Sequence, residues 1–287
     1  MALATPPLSL EGRTCLVTGA NRGIGLATAQ GLAALGARVI VVARDAAAGE
    51  AAIIGIRRAT GNDAVDLLIA DLSSQAAIRT LASEVLARYR RLHILVNNAG
   101  VITRRRTRTV DGIETQFAVN HLAYFLLTNL LLGRLTASAP ARIVVVTSDA
   151  HWSHRLDFDD LQLERGWRPV RAYARSKLAN VLFAYELARR LAGTGVTVNC
   201  VHPGGIATKL LANALPFPAL STPLMYRFAA RPEEGADTLI YLAAAPELDG
   251  VTGKYFVKRK AVPSSAPTYD FLGCLKLWDE SARLTGL

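Results

Sequence analysis

Thr18-Gly19-Ala20-Asn21-Arg22-Gly23-Ile24-Gly25 joins an apolar run, Arg13–Thr18, to an alanine-rich helical pattern, Gly23–Leu35. Glycines at these positions let a backbone turn tightly and come close to a ligand, and the helix that follows offers its N-terminus to negative charge. A glycine triplet by itself says little. Placed after a strand and before a helix, at the start of a βαβ unit, it reads as a turn that cradles a pyrophosphate.

The same alternation continues along the chain. Arg38–Ala43, Val65–Ala70, His93–Val96, Arg142–Thr147, Val196–Val201 and Gly253–Val257 are short apolar runs expected as strands, the last of them as the final one. Between them lie helical patterns at Asp45–Arg58, after a cap at Ser73 or Ser74, over a long Asp111–Leu135 and over Ala172–Leu191. Strands apolar on both faces, alternating with helices, predict a parallel sheet covered on both sides: a Rossmann-type, doubly wound, three-layer α/β/α fold. No Pro/Ser/Gly linker divides the 287 residues, so one domain spans 1–287, with a cofactor half over about 10–150 and a catalytic and substrate part over about 151–287.

Composition narrows the class further. With 51% hydrophobic and 20% charged residues the chain can bury a large core. Its start, Met1 to Arg13, lacks the form of a signal peptide, and the apolar stretch Leu122–Leu132 is interrupted by Thr128 and Asn129, so no membrane span is expected. Cys15, Cys200 and Cys274 share no metal-like spacing; the first two fall within strand-like runs and are expected as small core residues in a soluble, cytoplasmic protein. The net charge of +10 is mostly scattered arginine. Its one dense cluster, Arg104, Arg105, Arg106 and Arg108, has no interleaved aromatics and is expected as a solvated loop rather than a nucleic-acid surface.

Charge also bears on the choice of dinucleotide. A site for NAD places an acidic residue about 20 positions past the glycines, against the ribose 2′-hydroxyl. Here the second strand ends in Arg44, and Arg22 lies inside the glycine loop. Two guanidinium groups attract a 2′-phosphate, so NADP(H) is favoured over NAD(H), provided that Arg44 rather than Asp45 faces the ribose.

Tyr173 and Lys177 are four residues apart in a strong helical pattern and therefore share a face; Ser148 ends the strand before them. Reducing a carbonyl leaves negative charge on oxygen, which calls for a proton donor and a hydrogen-bond donor. A phenol titrates at about 10, and bringing it to neutrality costs roughly 4 kcal/mol. An ammonium about 4 Å away contributes roughly that much at an effective dielectric near 20.

The spacing Gly-x-x-x-Gly-x-Gly, with Asn97-Asn98-Ala99-Gly100, Tyr173-x-x-x-Lys177 and Pro203-Gly204-x-x-x-Thr208, resembles the short-chain dehydrogenase/reductase family over about Leu10 to Leu287. The stretch Arg171–Asn180, then Leu182-Phe183, Glu186-Leu187-Ala188 and the tail Leu277-Trp278-Asp279-Glu280-Ser281, is similar to its retinol-dehydrogenase-like branch. That resemblance implies Tyr173 as general acid or base, Lys177 as the group that lowers its pKa and holds the nicotinamide ribose, and Ser148 as the group that orients the carbonyl. It also implies Asn120 as the holder of a relay water. Around the cofactor it places Gly19, Asn21, Arg22, Gly23, Ile24 and Gly25, then Asp71-Leu72 beside adenine, Asn98-Ala99-Gly100 along the wall, and Pro203, Gly204 and Thr208 near the carboxamide.

The expected activity is interconversion of a carbonyl and its alcohol. The rivals are reduction of a carbon–carbon double bond, as in the related protochlorophyllide reductases, and a non-catalytic NADPH-binding scaffold. Membrane-bound retinol dehydrogenases carry an N-terminal apolar anchor; none is expected here, and a retinoid substrate is accordingly not the expected one. The substrate is expected to be an apolar small molecule, lined by His151–Arg171, with Trp152 and Trp167, and by the apolar, proline-broken Gly205–Arg231 with Leu210, Leu211, Leu215, Phe217, Leu220, Met225, Tyr226 and Phe228. His151 and His154 are expected as solvent-facing loop histidines rather than metal ligands. Relatives often pair through their long helices, making a homodimer or homotetramer the expected assembly.

Overall fold

A computed structural model describes residues 8–205 and 231–287. Eight strands form one sheet in the order β3-β2-β1-β4-β5-β6-β7-β8, where β1 is Thr14–Thr18, β2 Arg38–Ala43, β3 Val65–Ile69, β4 Ile94–Asn97, β5 Ala141–Val146, β6 Val196–His202, β7 Lys254–Val257 and β8 Lys260–Val262. The first seven are parallel, as their unbroken apolar runs require. Leu16 pairs with Ile40 on one side and Leu95 on the other.

Because side chains alternate across a strand, each buried strand feeds two cores. Leu16, Ile40, Leu95, Ile143 and Val198 face α3 (Gln75–Arg88), α5 (Ala123–Ala137) and α6 (Pro169–Arg190). Cys15, Val17, Val41, Val96 and Val144 face α1 (Gly23–Ala34), α2 (Ala46–Thr60) and α7 (Pro232–Ala244). The result is the expected three-layer arrangement. Cys15 and Cys200 are core residues, and Cys274 is buried as well.

Four features depart from the expectation. The strand after β7 comes from a hairpin whose two turn residues, Lys258 and Arg259, both have positive φ (48° and 61°). Such turns usually advertise themselves with Asn-Gly or Asp-Gly, and here that signal is missing. A last helix, α8 (Phe271–Thr285), is capped by Asp270, whose carboxylate accepts from Gly273 N, and ends at the left-handed Gly286. Its Trp278 packs edge-on against Phe125 of α5, ring centroids 4.9 Å apart, and lies under the Arg190 guanidinium of α6.

The segment expected as one helix from Asp111 is instead a short α4 (Thr115–Phe117), a π-helical turn over Ala118–Leu122, and then α5. Finally, the arginine cluster is more tied down than a solvated loop. Arg106 donates to the carbonyls of Gln162 and Leu163, and both Arg106 and Arg108 pair with Glu164. Among the described residues no helix is long and apolar enough to cross a membrane.

Candidate active site

The sheet order reverses between β1 and β4, and loops leaving the carboxyl ends of β1–β6 line a crevice of about 780 Å³ there. Open α/β sheets bind their ligands at such a switch point. The walls include Gly19, Asn21, Arg22, Gly23, Ile24 and Gly25 from the first loop, Arg44 and Asp45 from the second, and Asp71 and Leu72 from the third. Asn98, Ala99 and Gly100 come from the fourth, Tyr173 and Lys177 from α6, and Pro203 from the end of β6. Val101, Ile102 and Thr103 also line it, three residues past a motif that marks only its own end.

The first loop is locked onto the fourth. Gly19 has φ of 66°, and a Cβ there would come within 2.9 Å of Ala99 Cα. A Cβ on Gly25 would meet Gly19 O and Asn98 Nδ2 at 2.4 Å. Thr18, which no motif singles out for this role, fastens the junction: its buried hydroxyl accepts from Asn98 N at 2.9 Å and Ala99 N at 3.0 Å. Asn98 Nδ2 returns a hydrogen bond to Thr18 O at 2.8 Å.

The helices that start at the crevice differ in their caps. At the start of α2, Asp45 accepts from Ala48 N, and at the start of α3, Ser74 accepts from Ala77 N. The N-terminus of α1 has no side-chain cap and no acidic residue in its first turn. Its first residues, Gly23, Ile24 and Gly25, line the crevice, and an uncapped helix N-terminus suits a bound phosphate. Asp45, being the cap of α2, has its carboxylate committed at 2.8 Å. Arg44 and Arg22 line the crevice and enter no ion pair among the described residues.

Tyr173 and Lys177 lie on one face of α6, with Lys177 Nζ 5.6 Å from the centre of the Tyr173 ring. Lys177 donates to Val146 O at 3.0 Å. Burial pushes the Lys177 ammonium down to about 7. Burial also pushes the Tyr173 phenol up to about 12, the hydrogen bond with the Ser148 hydroxyl working against it and the Asp149 carboxylate with it. Burial is the largest influence on both groups, and it disfavours the charged form of each.

Ser148 and Asn120 are each held by hydrogen bonds to neighbouring groups. Ser148 Oγ donates to Asp149 Oδ1 at 3.2 Å and accepts from Ala150 N at 3.2 Å. Asn120 is fully buried in the π turn, its amide clasping both main-chain groups of Val101 at 2.7 and 3.0 Å and donating to Ser176 Oγ at 3.0 Å. Asn180 Nδ2 donates to the Asn120 carbonyl at 2.8 Å, a partner that the Tyr-x-x-x-Lys motif did not bring forward. Gly204 follows Pro203 with φ of 93°. Thr208 and the apolar residues Leu210, Leu211, Leu215, Phe217, Leu220, Met225, Tyr226 and Phe228 lie outside the described residues.

His151 is a correction. It was expected to face solvent, and it is fully buried, bonded to Ser148 O and Ser265 N. A histidine followed by Trp152, Ser153 and His154 looks like loop, and its partners come from a distant segment that no local pattern reveals.

The chain is also similar to known proteins. Residues 13–217 match the short chain dehydrogenase family. Retinol dehydrogenase 14 of Mus musculus is 45% identical over 295 residues, covering 98% of this chain and 88% of its own length. Retinol dehydrogenase 12 of Homo sapiens is 44% identical over 280 residues, covering 98% and 88%. Among solved structures, a protein from Mycobacterium paratuberculosis superposes with a TM-score of 0.79 at 35% identity, covering 98% of this chain and 96% of its own. The Pseudomonas aeruginosa RhlG/NADP active-site complex superposes with a TM-score of 0.70 at 34% identity, covering 88% and 96%. A family match over most of the chain, with relatives of this similarity along nearly its whole length, places the protein in the short-chain dehydrogenase/reductase family.

Proposed function

We propose that this protein is an NADP(H)-dependent oxidoreductase that interconverts a lipophilic aldehyde or ketone and its alcohol, with Tyr173 handling the proton at the oxygen. The observation that carries this reading is one crevice shared by an uncapped glycine turn at one end and by Tyr173 and Lys177 at the other. The residues present fit a dinucleotide. Gly19, Asn21, Gly23, Ile24 and Gly25 would hold the pyrophosphate through the α1 amides, and Arg22 and Arg44 the ribose 2′-phosphate. Asp71 and Leu72 would flank adenine, with Asn98, Ala99 and Gly100 along the wall. Lys177 would hold the nicotinamide ribose, and Pro203 and Gly204 the far side of the ring. When bound, the nicotinamide supplies or accepts the hydride.

The remaining chemistry falls to side chains. Tyr173, kept protonated at neutral pH by its burial, is ready to donate to the oxygen of a carbonyl undergoing reduction. Ser148 offers the second donor once its hydroxyl turns from Asp149, and so orients the oxygen. Lys177 places a titratable amine behind the phenol, and positive charge gathered there stabilises a phenolate in the oxidative direction. Asn120 holds the loop after β4 in register with α6. A lipophilic substrate is supported by the apolar residues at Leu210–Phe228 in the sequence, and by relatives named for retinol, an apolar alcohol.

A panel of apolar aldehydes, ketones and an enone, offered with NADPH and with NADH, tests this by nicotinamide absorbance and product analysis. The expected result is oxidation of NADPH with formation of the alcohol from an apolar aldehyde or ketone. A saturated carbonyl formed from the enone would instead indicate double-bond reduction. Tight NADPH binding without turnover of any compound would indicate a scaffold.

A further inference from the structure

The main chain of Ser148 is bonded by a residue with no part in the chemistry above. His151 is fully buried, and its two ring nitrogens bridge Ser148 to Ser265, a residue 114 positions beyond the histidine. Nδ1 lies 2.6 Å from the main-chain oxygen of Ser148, and Nε2 lies 3.1 Å from the amide nitrogen of Ser265. A carbonyl oxygen only accepts and an amide N–H only donates, so both contacts specify the same neutral tautomer, with the proton on Nδ1. Burial, which pushes this imidazole below its ordinary pKa, works in the same direction.

The far end of the bridge is itself anchored. Ser264 Oγ lies 2.6 Å from Thr268 Oγ1 and 2.7 Å from the Tyr185 hydroxyl. Thr268 Oγ1 also donates to Ser265 O at 2.6 Å. Tyr185 belongs to α6, the helix that carries Tyr173 and Lys177. The ring of His151 rests against that of Tyr255 on β7, centroids 4.9 Å apart, which leaves it little room to turn. A strut therefore runs from α6 through Ser264 and Ser265 to His151, and from there to the turn that bears Ser148. The serine hydroxyl itself bonds Ala150 N, the exposed Asp149 carboxylate and the Tyr173 phenol, and the strut holds the main chain that carries it.

We propose that His151 is a positioning residue: by bonding the Ser148 carbonyl to the Ser265 amide, it sets the direction of the Ser148 hydroxyl toward the Tyr173 phenol. This rests on the role given to Ser148 under Proposed function. A merely structural histidine would stabilise the fold without being coupled to the serine, and the coupling can be measured.

His151→Leu and His151→Asn are each made with Ser148 intact and with Ser148→Ala. For every protein kcat and KM for a reduced aldehyde, the NADPH Kd and the Tm are measured. Leucine removes both ring contacts, while the asparagine amide can still donate to the Ser148 carbonyl. With Ser148 intact, His151→Leu is expected to lower kcat about 10- to 100-fold, the scale of a small misplacement of a reacting group. Its NADPH Kd stays within about twofold, and His151→Asn recovers much of the loss. With Ser148→Ala in place, His151→Leu costs less than about twofold more, because there is no hydroxyl left to position. A folded His151→Leu with unchanged kcat, or one that loses the same factor in both backgrounds, overturns the inference. Should the leucine variant fail to fold, His151→Asn carries the same comparison, and equal factors in the two backgrounds again overturn it. A wild-type protein that binds NADPH and reduces no carbonyl overturns the proposed function instead.

Discussion

Arg44 and Asp45 follow one another at the end of β2, and their opposite charges would favour opposite cofactors. The structure separates their tasks: Asp45 caps α2 through Ala48 N, and Arg44 lines the crevice. Charge-assisted bonds from a guanidinium to a phosphate are among the stronger polar contacts, at roughly 1.5–3 kcal/mol. Arg44→Asp is thus expected to weaken NADPH about 10- to 100-fold relative to NADH, as read by fluorescence titration of both dinucleotides. Equal losses for the two would mean that this side chain does not meet the 2′-phosphate. Thr18 shows a subtler kind of residue, one whose buried hydroxyl joins the two loops that line the crevice.

Among the elements, the β1–α1 turn depends on atoms that are not there. Gly25→Ala would drive a Cβ to 2.4 Å from Gly19 O and from Asn98 Nδ2, so the first loop must shift away from the fourth. NADPH affinity is expected to fall at least about tenfold, with the far-ultraviolet circular dichroism unchanged, since the clash is confined to the first turn of α1 and alanine is a better helix former than glycine there. Affinity equal to wild type would show that the loop does not hold the pyrophosphate. This turn was legible in the sequence because its glycines, its strand and its helix are all local, and so were the parallel strands, whose unbroken apolar runs announce burial on both faces. The hairpin to β8 was not, because Lys258 and Arg259 take left-handed conformations without the usual residues. Nor was the π turn around Asn120, where a single extra residue per turn leaves the hydrophobic pattern nearly unchanged. In the candidate site the spacing of Tyr173 and Lys177 revealed a shared helical face. What it could not reveal was how deeply both groups are buried, which disfavours the charged form of each.

At the scale of the whole molecule, buried neutral histidines tie the carboxyl-terminal segment to the catalytic half. His121, in the π turn, meets Asn180 Oδ1 at 3.2 Å and Ser281 Oγ of α8 at 2.9 Å, and burial pushes its pKa down to about 4. The unfolded chain takes up a proton there at about 6.5, the folded one only near 4, so stability is full above 6.5 and is lost as pH falls through that window. Between pH 7 and 4.5 the loss from this residue is about 2–3 kcal/mol, and urea midpoints of the wild type should fall further than those of His121→Asn. Parallel curves would assign the acid sensitivity elsewhere. The central claim concerns the phenol at the mouth of the crevice, and Tyr173→Phe tests it most directly, in one preparation assayed for both NADPH binding and carbonyl reduction. The expected result is an NADPH Kd within about twofold of wild type and a kcat lower by about 10²- to 10⁴-fold, the scale of a lost general acid. A Tyr173→Phe protein that reduces the same aldehyde at close to the wild-type rate would contradict it.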